Sequence, residues 1–399
     1  MAQTTCNKQC NITLTLCDLF SFVLVLLVSN VSSQWVIEDE GCRTPDRGRG
    51  DCVPIKECQP ILDFITQSPT PITPKVQERL KQYMCGYQGR SVKVCCPQNP
   101  LVSEPPDVSR HRNVKLLPTK CGYVDTENKI INGEKTGLFE FPWMVLISYR
   151  TKNSLDFQCG GTILNERYIL TAAHCISDYI LSQRNSSIAG VRVGDHNVNT
   201  DRDCETIRNV TTCAPPFQDF RVEKIIPHQM YNPNVNLNYD IGLLRLAGRI
   251  DLNKENMRPV CLPLGSSRTY DFVNNNNKGV VTGWGATTTN RNSPELLKVV
   301  LEVVPLERCQ EVYKSKNVKS PITFKHFCAG GKNYRDSCTG DSGGPLHAIV
   351  PDDDEDSVVK YVQQGIVSFG PKNCGAEGFP GVYTRIAYYM DWILNNIQP

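Results

Sequence analysis

The chain has 399 residues, with 43 Lys and Arg against 41 Asp and Glu, and carries 19 cysteines. Near-neutral charge without a long basic run excludes nucleic acid as the principal partner, and the length leaves room for two or three domains. So many cysteines would be idle thiols in a reducing cytosol, which points to an oxidising, extracellular setting.

Leu19–Val28 is an apolar run broken only by Ser21, with Lys8 upstream and the small residues Val31-Ser32-Ser33 downstream. This pattern predicts a signal peptide over residues 1–33, cut between Ser33 and Gln34. The run is short of the roughly 20 apolar residues that span a bilayer, so secretion is expected and a membrane anchor is not. Removal of the leader takes Cys6, Cys10 and Cys17 with it and leaves an even number of cysteines.

Residues 34–97 hold Cys42, Cys52, Cys58, Cys85, Cys95 and Cys96 and few apolar side chains. A piece this small is held by disulfides more than by burial, each worth about 2–4 kcal/mol. Spacing alone leaves the pairing open. Zinc is not expected, since the segment has no histidine. Pro69, Pro71 and Pro74 precede a short helix predicted over Val76–Met84. The five-residue gap between Cys52 and Cys58, with the adjacent Cys95-Cys96, resembles the clip domain of arthropod extracellular proteases. That resemblance implies the pairs Cys42–Cys95, Cys52–Cys85 and Cys58–Cys96. The module reads either as a docking piece that brings the zymogen to a partner, which is the reading taken, or as a stable pro-piece with no contact of its own. Residues 98–120 carry four prolines and scattered basic side chains and read as a stiff, exposed linker.

Downstream, many short strands follow one another without long helices between them. Phe141–Ile147, Val191–Val193, Ile241–Leu246, Val280–Thr282, Val299–Val304, Ile366–Ser368 and Val382–Thr384 are such strands, and they predict an all-β domain. Met390, Ile393, Leu394 and Ile397 recur at helical spacing and predict a terminal amphipathic helix.

Three motifs in this region carry chemistry. Gly340-Asp341-Ser342-Gly343-Gly344-Pro345 sets a serine in a glycine turn, where the N–H groups of Gly340 and Ser342 can hold an oxyanion. A free hydroxyl is a weak nucleophile, so a base and an orienting carboxylate are needed. Thr171-Ala172-Ala173-His174-Cys175 and Asp240-Ile241-Gly242-Leu243-Leu244 supply them. Singly, each reads as a turn, a core histidine or a strand-end aspartate. Together, in the order His, Asp, Ser, they resemble the chymotrypsin-family serine proteases from about Ile130 onward.

The resemblance implies an all-β, chymotrypsin-like double β-barrel over residues 130–399, with His174 as base, Asp240 as its partner and Ser342 as nucleophile. It also implies an activation cut after Lys129 in Asn128-Lys129-Ile130-Ile131-Asn132-Gly133, within a linker and activation segment at 98–129. The freed amine of Ile130 would then pair with Asp341 and order the site. Asn132 stands where the family has the first of two glycines. Asp336 would floor the primary pocket, with Ser337 beside it and Gly370 and Gly381 lining an open throat, giving cleavage after Arg or Lys. Ser368 and Gly370 would hold the substrate backbone, and Phe369 stands where the family usually has Trp.

The remaining implied disulfides are Cys121–Cys261, Cys159–Cys175, Cys204–Cys213, Cys309–Cys328 and Cys338–Cys374. No cofactor is expected for catalysis. The loop Asp195–Asp203 offers hard oxygens suited to a structural Ca²⁺ or is only a polar surface loop; the resemblance implies Asp195, the Asn197 and Thr200 carbonyls and Asp203 as ligands. Asn185-Ser186-Ser187 and Asn209-Val210-Thr211 are glycosylation acceptors. Asp352–Asp356 reads as a solvated hairpin tip and Asn274–Asn277 as a polar loop. By resemblance the chain is a secreted zymogen of an innate-immune cascade in a haemolymph-like fluid. Its partners would be prophenoloxidase, a Toll-ligand precursor or a downstream zymogen, with an upstream activating protease and a serpin inhibitor. The alternative is a catalytically silent clip-domain binding protein, against which the intact trio argues.

Overall fold

The computed structural model describes residues 41–399, apart from 46–47, 68–71, 73, 99–100, 102–104, 124–134, 153, 235–236, 265–277, 287–291, 317, 319–320, 334–335, 352–358 and 372. The leader, Lys129 and Ile130, the acidic run and the polar loop therefore lie outside the described residues. The chain divides into two units, residues 1–103 and 104–399.

In the first unit, β1 (Cys42–Arg43) and β2 (Arg49–Pro54) are followed by helices α1 (Gln59–Gln67) and α2 (Pro74–Gln82), then by β3 (Met84–Gln88) and β4 (Ser91–Pro97). The antiparallel sheet runs β1-β2-β4-β3. Pro74 suits a first helical turn because its φ is fixed and its missing N–H has no partner there. The helix predicted over Val76–Met84 ends earlier, at Gln82. Tyr83 is buried and Cys85 is bonded to Cys52, and both draw the chain into an extended strand. Ile61, Phe64, Tyr83, Val94 and Leu101 form a small apolar core. The bridges Cys42–Cys95, Cys52–Cys85 and Cys58–Cys96 close around it.

The second unit is mostly β. Its first half contains β5 (Met144–Arg150), β6 (Leu155–Ile163), β7 (Tyr168–Thr171), β8 (Ser187–Val193), the hairpin β9 (Cys204–Ile207) and β10 (Val210–Cys213), then β11 (Gln218–Phe220), β12 (Val222–Pro227) and β13 (Gly242–Leu246). One sheet runs β11-β8-β5-β6-β7-β13-β12. Only Arg221 separates β11 from β12, so one stretch of chain serves both edges and rolls the sheet into a barrel. Between β7 and β8 lie the short helices α3 (Ala173–Ile176) and α4 (Asp178–Gln183).

The second half forms a closed barrel, β14-β15-β16-β19-β18-β17. Its strands are β14 (Lys278–Gly283), β15 (Leu297–Val304), β16 (His326–Ala329), β17 (Pro345–Pro351), β18 (Val359–Phe369) and β19 (Gly381–Arg385). Helix α5 (Leu306–Ser315) follows β15 and α6 (Met390–Asn396) ends the domain. Met390, Ile393, Leu394 and Ile397 are all buried, as their spacing predicts. Every short strand predicted in this half lies within one of these strands or next to its end.

An aromatic cluster joins the barrels. Trp143, at the entrance to β5, donates its indole N–H to His347 Nε2 of β17 at 2.7 Å, and His347 Nδ1 lies 3.1 Å from the Val280 carbonyl of β14. The ring is therefore neutral, with its proton on Nδ1, and burial pushes its pKa down to about 3. Phe141 and Tyr361 pack around it.

Residues 105–120 are not an exposed linker. Val108 and Leu117 are 5% and 8% exposed and belong to the core of the catalytic unit. Asn113 Nδ2 donates to the carbonyls of Leu394 and Ile397 at 2.8 and 3.2 Å. Composition misleads here because a few apolar side chains suffice once another element already offers the surface.

Replacing His347 with Phe leaves the buried Trp143 N–H without its acceptor and takes the ring donor from the Val280 carbonyl. We expect urea unfolding to show a loss of about 1–3 kcal/mol; unchanged stability would remove this hydrogen bond from the account of how the barrels are joined.

Candidate active site

His174 sits in α3, one turn beyond the end of β7, where Cys159–Cys175 ties the helix to β6. Asp240 immediately precedes Ile241 and β13, which pairs with β7, so the fold brings the two together. Asp240 is 1% exposed and grips His174 twice: Oδ1 accepts the backbone N–H and Oδ2 lies 2.8 Å from Nδ1. The Ser368 hydroxyl also donates to Oδ2, and Thr384 Oγ1 donates to the Asp240 carbonyl at 2.8 Å. Burial pushes the carboxyl pKa up, but the His174 ring and these donors outweigh it and hold the group below the usual carboxylate range. Nδ1 therefore keeps the proton, and Nε2 is left as the base.

Tyr239, just before Asp240, has a φ of +65°, which is disfavoured for a bulky side chain. Its N–H is fixed on Tyr389 Oη at 3.1 Å, so the surrounding structure imposes the conformation that aims Asp240.

The Ser342 turn is seated against the same region. Gly160 N donates to the Ser342 carbonyl at 2.8 Å. A Cβ on Gly343 would lie 2.2 Å from Thr171 Oγ1, 2.7 Å from the Gly160 carbonyl and 3.1 Å from Cys175 Sγ, so only glycine fits there. No hydrogen bond joins Ser342 Oγ to His174 among the described residues. Such catalytic bonds commonly tighten only when substrate binds. The turn's Asp341, Gly343 and Gly344 amides donate to the Cys338, Val367 and Asp341 carbonyls, whereas those of Gly340 and Ser342 donate to no other described residue. Both N–H groups are thus free of acceptors within the described protein.

Asp341 is half-buried, with Oδ1 accepting from Gly285 N and Oδ2 from Cys338 N, each at 2.8 Å. A Cβ on Gly283 or Gly285 would fall 2.1 or 2.5 Å from this carboxylate. Burial pushes its pKa up to about 6. Among the described residues no cation pairs with it. Gly283 and Gly285 were not singled out from sequence, and nothing local marks them there.

Asp336 is largely buried, and burial pushes its pKa up to about 7 against the Ser337, Gly375 and Gly381 amides. Its Oδ2 is buried without a hydrogen-bond partner. Ser337 Oγ lies 3.0 Å from Tyr383 Oη, a pocket residue the sequence did not reveal. A Cβ on Gly370 would meet only Gly381 Cα, at 3.7 Å, so this side of the cleft is open. The Ser368 side chain is turned to Asp240, at the register shift between Val367 and Phe369. Only its main chain is left for a substrate. Phe369 packs edge-on against Tyr313, with ring centroids 5.7 Å apart.

The loop from Asp195 to Asp203 brings its two carboxylates together. Asp203 Oδ2 accepts from His196 N and Asn197 N, and Oδ1 from the Thr200 hydroxyl. The Asn197 carbonyl accepts from Thr200 N. Asp195 Oδ1 is buried without a partner, and burial together with Asp203 pushes its pKa up to about 6. Asp195 Oδ2 is paired with Arg192 at 3.3 Å, so one carboxylate oxygen is left for a hard cation, and Asp203 would have to release some of its present donors. Cys159, His174 and Cys175 also cluster, but both cysteines are in one disulfide and offer no thiolate. Asn185 and Asn209 are exposed, at turns with φ of +48° and +66°. The bridges Cys121–Cys261, Cys204–Cys213, Cys309–Cys328 and Cys338–Cys374 complete the disulfide set.

Comparisons with known proteins agree with this geometry. A family model described as Trypsin matches residues 130–393, and one described as the regulatory CLIP domain of proteinases matches residues 42–96. Serine protease ea of Drosophila melanogaster is 38% identical over 90% of this chain and 91% of its own. Phenoloxidase-activating factor 1 of Holotrichia diomphalia is 36% identical over 95% and 98%. The crystal structure of the Drosophila Grass clip serine protease of the Toll pathway aligns with a TM-score of 0.62, at 30% identity, covering 89% of this chain and 96% of that one. The chain belongs to the trypsin family of serine proteases and carries a regulatory CLIP domain ahead of the catalytic one.

Proposed function

We propose that the chain is a secreted serine endopeptidase zymogen that cleaves protein substrates after Arg or Lys in an extracellular cascade. The observation that carries this is the two-point grip of Asp240 on His174, with the Ser342 turn seated against the same strands. His174 Nε2 takes the Ser342 proton as Oγ attacks the scissile carbonyl. The Gly340 and Ser342 amides receive the oxyanion, and His174 then returns the proton to the leaving amine. Water repeats the cycle on the acyl-enzyme. Asp336, with one carboxylate oxygen unpartnered, pairs with the substrate's cationic side chain, while Gly370 and Gly381 leave it room.

Cleavage after Lys129 by a trypsin-like protease would free the Ile130 amine to neutralise Asp341. A serpin is the expected inhibitor. The similarity to a phenoloxidase-activating factor and to a Toll-pathway protease favours prophenoloxidase, a Toll-ligand precursor or a downstream zymogen as substrate. Glycans on Asn185 and Asn209 and loss of residues 1–33 fit the same secretory route.

Two outcomes test this reading. After activation, a fluorophosphonate should label Ser342, and Asp336→Ser should lower kcat/KM on arginyl substrates at least about a hundredfold. Because protonated Asp336 cannot pair with a cation, benzamidine binding should weaken as pH falls through about 7 in the native enzyme and lose that dependence in the variant. Unchanged activity on arginyl substrates in the variant would contradict the pocket assignment. For the loop, we propose that Asp195, Asp203 and the Asn197 and Thr200 carbonyls hold a structural Ca²⁺. Calorimetry should show Ca²⁺ binding that Asp195→Asn abolishes; no heat of binding in the native protein would dismiss the metal.

A further inference from the structure

Residues 105–123 lie on the N-terminal side of Lys129, yet they are built into the catalytic unit. Val108 and Leu117 are buried in its core, with Val114 and Leu116 packed against it. Asn113 Nδ2 takes the Leu394 and Ile397 carbonyls at the end of α6, groups that a helix terminus leaves without internal partners. The Asn113 N–H donates to His111 Nδ1 at 3.1 Å, so the ring carries its proton on Nε2 and donates it to Asn395 Oδ1, also at 3.1 Å.

Two more holds follow along the chain. Asn165 Nδ2, in the β6–β7 turn, donates to the Leu116 carbonyl at 3.1 Å. Gly122 N donates to the Pro259 carbonyl at 3.0 Å, and Tyr361 N donates to the Gly122 carbonyl at 2.8 Å. Tyr123 adds an antiparallel bridge to Lys360. Gly122 has a φ of +65°, and a Cβ there would lie 2.1 Å from the Tyr361 carbonyl, so this approach requires glycine.

We infer that residues 105–123 are a strap that holds the N-terminal chain on the catalytic domain after cleavage by packing and hydrogen bonds, without need of Cys121–Cys261. The surface it occupies is made by the end of α6, the β6–β7 turn and the start of β18, and its occupant is this chain's own segment. The disulfide alone would leave the strap free to swing away. The buried side chains and bonded carbonyls instead give it a fixed seat, and its removal would expose Val108 and Leu117 and strip the α6 carbonyls and the Asn165 amide of their partners. The inference rests on the reading that the zymogen is cut after Lys129, and the test separates the two.

The test uses the full chain with Cys121→Ser and Cys261→Ser, a tag after residue 33, and a specific protease's recognition sequence in place of residues 125–129. The cut is then made whether or not Lys129 is the natural site. After cleavage and capture through the tag at submicromolar concentration, the chain starting at Ile130 should stay on the resin. Its appearance in the flow-through would overturn the inference. Adding Val108→Asp and Leu117→Asp should release it at least tenfold more. Because those charges could impair folding, His111→Ala with Asn113→Ala is the second variant and should speed release severalfold. Undiminished retention in both variants would place the hold elsewhere and also overturn the assignment. A melting transition of the uncut cysteine-free protein controls for folding. If that protein does not fold, native two-chain protein whose Cys121–Cys261 is opened by mild reduction and alkylated gives the same readout. In the unaltered chain, a first residue other than Ile130 after activation would refute the Lys129 reading alone.

Discussion

The site depends on a carboxylate buried beside the nucleophile. Asp341 is half-buried, and its carboxylate is held by two amides 2.8 Å away, in a space that tolerates only glycine at positions 283 and 285. A lone buried charge is strongly disfavoured, which is why its pKa is pushed up to about 6. The same residue sets the turn that carries the Gly340 and Ser342 amides, and its field also reaches Asp336 in the neighbouring pocket. In the reading proposed here, whatever supplies a positive charge to Asp341 acts on Ser342, the Gly340 and Ser342 amides and Asp336 together. In our reading the Ile130 amine does this, and proteolysis becomes the switch.

The two barrels contribute unequal halves of the chemistry. His174 and Asp240 come from the first barrel, whereas Ser342, Ser368 and Asp336 come from the second. Ser368 and Thr384 reach across to Asp240, so the acid of one barrel is held by hydroxyls of the other. Trp143 and His347 make a second crossing in the core. Behind Asp240, Tyr389 fixes Tyr239 in a strained conformation and leads directly into α6, the helix whose far end carries Asn113. The seat of the N-terminal strap and the catalytic acid thus share one helical support.

Much of this was legible in the sequence. Short alternating strands gave an all-β domain, the Met390–Ile397 spacing gave the terminal helix, and three motifs in the order His, Asp, Ser named the trio. What stayed hidden depends on contacts between distant positions. Spacing alone left the pairing of the six cysteines in residues 34–97 open, and the three bridges that the clip resemblance implies are the ones the structure has. That the Ser368 hydroxyl donates to Asp240 follows from the register shift between Val367 and Phe369, which the sequence does not show. Gly283, Gly285 and Tyr383 carry no local signal, since their roles exist only once Asp341 or Ser337 folds against them. Residues 105–120 read as linker because composition counts apolar residues and cannot see the surface that receives them.

The central claim is that the buried acid beside Ser342 leaves the cleft incompetent until a new amino group reaches it. The most direct measurement is the hydrolysis of an arginyl thioester by the intact chain and by the chain cut after Lys129, with N-terminal sequencing of the product. The account predicts a rise of at least about a hundredfold on cutting, comparable to restoring an oxyanion donor. Equal rates before and after the cut would contradict it.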